Sequence, residues 1–451
     1  MKDKQKNIKS IIAMLLVAAM ALACACTNRG NEPAPTELPG ADATPVSGIE
    51  LPDDDFTVPS GDGISFLVTG SSTSIATGAV SSAFKQSYMD LTASLLARCQ
   101  DGNTFISPLS IITALQMAAS GAKGDTLSEM LLLLGGGTQD IAELNRQLAN
   151  FYAGLSSAAD AKFHSANALW LTNNPDFLIN TSYLELVKES FAAQIATAPL
   201  SARGTIDAIN KWCSDNTDGM IPKVIDDLSD DAVAVLLNAL CFDALWQSQY
   251  SDDETAFKTF NGTDGAKNVK FLCSREYRYF SSGSEQAFVK QYKGGKYSFL
   301  GVLPEAGTDI DSYVKDLTGD KLLAIIGGME NAPVNVELPE FSMDCDYRLE
   351  KILPELGMTA AFDPDAADFT GLGKMVSGDS PYISGIIHKT HLEVDQSGTR
   401  AAAVTAIIME SATAIEDPIP SLILDRPFVF AIMDNTSGLP VFIGSCLNVE
   451  Q

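Results

Sequence analysis

The sequence predicts an α+β fold, and three observations carry that reading. Apolar residues fall at helical spacing through residues 82–98 and again after Ser107-Pro108. Apolar runs without clean alternation at 165–172 and 233–245 suit strands covered on both faces. Near the C-terminus, an alternating strand at 386–396 leads into small residues, a long irregular stretch and a further strand pattern. With 451 residues, 46% hydrophobic and 19% charged, the chain can bury a large core, and length alone would suggest two or three domains.

Taken in order, the N-terminus has lysines at 2, 4, 6 and 9, an apolar run over 11–22 and small residues before Cys24, the layout of an export signal over residues 1–23. A membrane-crossing helix needs about 20 apolar residues, and this run is shorter and followed by Thr27, Asn28 and Arg29. Ala21-Leu22-Ala23-Cys24 resembles a bacterial lipoprotein box, so Cys24 is the expected lipidated residue; Cys26 offers a competing frame and ordinary signal cleavage is the alternative. Residues 24–63 then combine six prolines with Asp, Glu, Gly and Thr, a composition that reads as a tether.

Beyond the tether, the hydroxyl of Ser107 and the ring of Pro108 open the second helix, and Gly135-Gly136-Gly137 punctuates the helical region after it. Residues 205–213 are helical in pattern and suited to cover one face of the buried strands. Short strand runs come next at 269–273, 287–291, 297–303 and 334–338, separated by turn residues. No internal repeat is present, which disfavours solenoids and propellers.

In 386–396 one face carries Ile386, His388, Thr390, Leu392, Val394 and Gln396, and the other Ile387, Lys389, His391, Glu393 and Asp395. The first face reads as inward. From Gly398 to Leu424 no apolar period is sustained, and a loop of that length is functional or disordered. Its start keeps strand-compatible alternation, with Thr399, Ala401, Ala403, Thr405 and Ile407 on one side, so it is able to slide between two strands.

The run "HKTHLEVDQSGTRAAAVTA" followed by "DRPFVFAIMDNTSGLPVFIGSCLNV" resembles the fifth central-sheet strand, hinge and C-terminal strand pair of the serpins. "NTFISPLSIITALQMAASGAKGDTLSEM" resembles the family's second helix and the segment after it, and "LLNALCFDALWQ" its third central-sheet strand. Further segments, "INKWCSDNTDGMIPKVI" and "VELPEFSMDCDYRLEKILPELGMTAAFDPDAADFTGL", agree in order, so the resemblance covers roughly residues 82–449. It implies a serpin domain over 64–451: one indivisible unit of three β-sheets surrounded by about eight or nine helices, with an exposed reactive-centre loop at about 396–424.

The resemblance also implies a mechanism. A serine protease attacks a loop carbonyl, and the freed hinge inserts as a new central strand before the acyl-enzyme hydrolyses. Gly398, Thr399, Ala401, Ala402 and Ala403 stand where inhibitory members have glycine, threonine and small alanines. Gln396 and Arg400 stand where the family commonly has glutamate, and the acid at the position of Gln396 makes a salt bridge that controls the hinge. Seventeen residues counted from Gln396 inclusive place the scissile bond at Ala412-Thr413. Ser107, Ser110, Asn238 and His388 would form a latch under the sheet where the strands part, and Trp246 would mark the top of the sheet where insertion begins.

Between Arg400 and Arg426 there is no lysine or arginine, so the expected partner is an elastase-like or chymotrypsin-like serine protease and not a trypsin-like one. The alternative is a non-inhibitory serpin acting as a surface binding protein. An enzyme is disfavoured: the three histidines, 164, 388 and 391, accompany no Gly-x-Ser-x-Gly, His-Glu-x-x-His or phosphate-loop motif. His388 on an inward strand face reads first as a satisfied core residue. Cysteines 99, 213, 241, 273, 345 and 446 show no metal or redox spacing, and neither cofactor, metal nor disulfide is expected.

The net charge of −27 argues against nucleic acid as a partner; loss of residues 1–23, with four lysines and one aspartate, would take it to −30. The expected molecule is an exported monomer, held at a membrane through its N-terminal lipid.

Overall fold

Helix starts obey local chemistry. The computed structural model describes residues 56–58, 63–68, 78–100, 102–155, 161–377, 380–399 and 419–449. Ser81 caps the helix Ser82–Arg98 by accepting from the Phe84 N–H at 3.1 Å. Ser107 caps the helix Pro108–Ala119 by accepting from the Ser110 N–H at 3.1 Å, with Pro108 in the first turn, where its missing donor removes no helical bond. Of that helix only Ala114 is not buried, so it is a core helix packed on all sides. The helix Gly124–Gly135 ends at Gly136, whose φ of 61° is a left-handed cap that glycine adopts without strain.

Four sheets are present among the described residues. The central one has seven strands in the order Phe341–Arg348, Ile387–Val394, Gly398–Thr399, Ala234–Leu245, Ala161–Thr172, Gln194–Ala198 and Ser65–Val68. Only the pair Ala161–Thr172 with Gln194–Ala198 is parallel. Successive residues of Ala161–Thr172 enter different cores: Leu169 and Leu171 pack with the helix Pro108–Ala119, whereas Ala168 and Trp170 pack with Ile206 and Ile209 of the helix Arg203–Asn216. Both faces are therefore covered, which is why neither central run alternates. The helix at 205–213 covers the face expected of it and extends by a few residues at each end.

A six-stranded sheet places Phe428–Asp434 beside Leu439–Cys446, and every residue of both strands is buried. In a four-stranded sheet, Ser421–Ile423 runs parallel to Val334–Pro339. The fourth sheet, one more than the three expected, joins Phe56–Thr57, Phe177–Asn180 and Gly373–Met375. Phe56 pairs with Asn180 and Thr57 with Ile179, so two residues of the stretch read as a tether lie against the folded body. Eight α-helices are described, and the chain from Asp53 to Gln451 clusters as one compact unit.

Several elements carry no strong sequence signal. Ser65–Val68, the outermost strand of the central sheet, is four residues long and leaves Phe66 and Leu67 exposed, so it shows no buried face to read. The helices Ile310–Lys315 and Gly319–Gly327 are too short for a clear period and are set by their caps, Asp309 and Thr318. None of the six described cysteines is joined in a disulfide, and Cys241 and Cys446 are buried.

Candidate functional site

The strands Ala234–Leu245 and Ile387–Val394 meet through the two residues Gly398 and Thr399. Thr399 pairs with Val394 on one side and Ala244 on the other, and Gly398 pairs with Leu245. Chain direction reverses at Asp395, whose carboxylate accepts from the N–H groups of Ser397 at 2.7 Å and Gly398 at 3.0 Å. This is an Asx turn, with the carboxylate standing in for a backbone acceptor. Glycine at 398 is required by space: a Cβ there would lie 2.1 Å from the carbonyl oxygen of Ala244.

Thr399 is on the inward face and 2% exposed, as its place in the alternation requires. Its hydroxyl lies 2.5 Å from that of Tyr292, which is wholly buried and stacked on Trp246 with ring centres 4.5 Å apart and planes at 9°. Burial pushes the Tyr292 phenol well up, so it keeps its proton for this bond. Trp246 is 1% exposed, and its indole N–H donates to the Asp395 carbonyl at 2.9 Å while its backbone N–H donates to Ser397. Trp246 therefore touches the base of the hinge directly.

Gln396 has a partner set that sequence reading does not reach. Its side-chain carbonyl accepts from the Lys270 ammonium, which also pairs with Glu340 at 3.0 Å, and its amide donates to Asp252 at 3.3 Å. A neutral amide thus stands where the family commonly has an acid, and the ion pair beside it joins Lys270 to Glu340.

Below the hinge, the inward face of Ile387–Val394 presents His388. Its Nε2 accepts from the Ser107 N–H at 3.0 Å, which fixes the proton on Nδ1. Burial holds His388 down to about 4, partly countered by Asp346, so the ring is neutral at ordinary pH. The Ser107 hydroxyl, while capping its helix, donates to the Val441 carbonyl at 2.9 Å. Ser110 reaches the Asn238 carbonyl at 3.5 Å, and the Asn238 amide donates to Asn167 at 2.7 Å. The four residues expected at the latch therefore form two linked pairs, Ser107 with His388 and Ser110 with Asn238, around one helix start.

Further down, a cavity of about 260 Å³ opens beside the N-terminal ends of the same two strands, lined among others by Leu236, Leu237, Ile386, Ile387 and Val224. A smaller one of about 40 Å³ borders Ser110, Asn238 and His388. The seam between these strands is thus closed by the hinge at one end and loosely packed at the other.

Arg400, Ala401, Ala402, Ala403, the bond Ala412-Thr413 and Cys24 lie outside the described residues. Tyr292, Lys270 and Asp252 carry no signal in the sequence that links them to the hinge. Tyr292 comes directly after a strand run and reads as core, and nothing near Lys270 or Asp252 marks either as a partner of Gln396.

The family model for "Serpin (serine protease inhibitor)" matches residues 83–449. A serpin-like protein of Thermococcus kodakarensis is 30% identical over 78% of this chain and 82% of its own length. Alpha-1-antiproteinase 2 of Equus caballus is 31% identical over 77% of this chain and 82% of its own length. Among solved structures, the thermophilic serpin tengpin in its native state aligns with a TM-score of 0.79 at 33% identity, over 86% of this chain and all of that one. The same protein in its latent state aligns with a TM-score of 0.73 at 32% identity, over 83% of this chain and all of that one. By sequence, fold and the ordered arrangement around the hinge, the chain belongs to the serpin family.

Proposed function

We propose that this serpin inhibits serine proteases as a suicide substrate, its loop inserting into the central sheet after cleavage. The observation that carries this reading is the seating of Gly398 and Thr399 between Val394 and Ala244, with the Thr399 hydroxyl against Tyr292. The first inserting residues thus already occupy the seam, and every residue after Arg400 on the inserting side is small or apolar as far as Ile407. The higher similarity to the native than to the latent tengpin structure supports a chain whose insertion is still to come.

The loop composition favours elastase-like or chymotrypsin-like targets, with Ala412-Thr413 as the reactive bond. The N-terminal signal layout favours an exported monomer tethered through a lipid on Cys24. The second reading, a non-inhibitory binding protein, is favoured by one feature: Gln396 meets Lys270 as a neutral amide and not as a charged partner.

The test mixes the full chain with elastase-like, chymotrypsin-like and trypsin-like proteases. An SDS-resistant complex with the first or second, and a C-terminal fragment beginning at Thr413, is expected. Thr399→Arg, which places a charge on the buried face, should be cleaved without forming that complex. Clean cleavage of the wild type by all three, with no complex, overturns the inhibitory reading.

A further inference from the structure

Behind the rings that receive Thr399 lies a charged pair that the hinge does not contact. Lys290, in the strand Glu285–Gln291, has a side chain 4% exposed, and its ammonium is 2.9 Å from Glu276 Oε1. It also lies 4.2 Å from the centre of the Tyr250 ring and 5.5 Å from that of Trp246. Glu276 Oε1 accepts in addition from the Ser274 hydroxyl at 2.8 Å, and that hydroxyl is 3.2 Å from the Tyr250 hydroxyl. One buried cation therefore contacts both ends of the segment 246–250.

That segment holds the base of the hinge. Trp246 donates to Ser397 through its backbone at 2.9 Å and to Asp395 through its indole at 2.9 Å. The Gln249 amide donates to Ser397 at 3.1 Å, and the Tyr250 N–H donates to Gln396 at 3.0 Å. Trp246 in turn stacks on Tyr292, which bonds Thr399.

A buried ion pair is a weak source of stability, because desolvation offsets most of the attraction and an apolar residue of like volume does as well. What the pair supplies instead is direction. A cation held over the face of a ring fixes where that ring sits, and here a single ammonium, oriented by Glu276, does so for two.

We propose that Lys290, oriented by Glu276, is a positioning residue for loop insertion: it fixes the Trp246 and Tyr250 rings, and through them the 395–397 base from which the cleaved hinge zips into the sheet. This rests on the inhibitory reading. Without the post the base shifts, insertion slows, and more of the cleaved chain escapes as spent substrate before the protease is trapped.

The experiment compares wild type, Lys290→Arg, Lys290→Met, Glu276→Gln and the Lys290→Met/Glu276→Gln double variant as full chains. It measures the moles of inhibitor consumed per protease trapped, together with native melting temperature. Lys290→Met and Glu276→Gln should raise consumption at least threefold, and Lys290→Arg should stay within twofold of wild type. The double variant, with no charge left unpaired, should recover the melting temperature but not the trapping efficiency. Recovery of both together would reduce the pair to a structural role and overturn the proposal, as would wild-type efficiency in Lys290→Met.

If the wild type forms no complex, the inhibitory reading fails separately. The proposal is then decided by how fast heat resistance appears after a metalloprotease cuts the loop. A rate at least fivefold slower in Lys290→Met supports it, and equal rates overturn it.

Discussion

His388 is held as a neutral acceptor because the Ser107 N–H occupies Nε2 and the ring is buried. Its folded value of about 4 lies below the ordinary 6.5, so the unfolded chain binds the proton first as pH falls. The associated stability is complete above pH 6.5, is lost progressively between 6.5 and 4, and amounts to roughly 3 kcal/mol over that window at 1.36 kcal/mol per unit. Urea unfolding at pH 7 and pH 5 should therefore show a loss of about 2 kcal/mol in the wild type that is absent from His388→Gln. Equal pH dependence in the two would show that another group sets it.

Gly398 makes a different demand, since a side chain there meets the Ala244 carbonyl. Gly398→Val should expel the two-residue strand from the seam and yield cleaved chain where the wild type yields complex. Complex formation at the wild-type level in this variant would mean that the backbone yields at Ala244.

At the scale of elements, the hinge is a strand of two residues held by contacts at its base. Lys270 is the polar centre of that base, shared between Glu340 and Gln396. Lys270→Met removes both interactions, each partly exposed, and should lower native stability by about 1 kcal/mol. In the uncleaved chain, freeing Gln396 should also ease loop exchange between molecules and hasten polymer formation on warming, which native electrophoresis after timed incubation resolves. An unchanged conversion rate would show that the Asp395 turn and the bonds from Trp246, Gln249 and Tyr250 secure the hinge without Lys270.

Legibility at this scale depends on whether the signal is local. Ser107-Pro108 announces its helix, and the alternation of 386–396 places His388, Thr390 and Leu392 on the buried face. The same alternation places Thr399 inward, but not its partner Tyr292, 107 positions away. Lys270 and Gln396 are separated by 126 positions, and neither residue type demands the other. Ser65–Val68 is invisible for another reason: an edge strand of four residues exposing Phe66 offers no period to detect.

For the whole molecule, the inhibitory reading makes the seam between Ala234–Leu245 and Ile387–Val394 the store of its capacity for change. A hinge filling it would gain roughly a dozen ladder bonds at about 1 kcal/mol each, on the order of 10 kcal/mol. That rivals the net stability of an entire domain, so on the inhibitory reading the unfilled state would persist kinetically. Loop cleavage should raise the melting temperature by tens of degrees, measured by calorimetry on the full chain before and after cutting. A cleaved chain melting where the intact one does would remove the energetic basis of the mechanism.

The pairing of Ser421–Ile423 with Val334–Pro339, and the burial of Phe428–Asp434 and Leu439–Cys446 in the six-stranded sheet, bear on what a cut leaves behind. The segment downstream of the loop is therefore held by two buried strands and by a third paired at the sheet edge. Severing the chain at 412 would make two polypeptides but a single particle, unchanged in mass under native conditions. Only denaturant would part them, so the spent molecule would carry its own receipt until it unfolds.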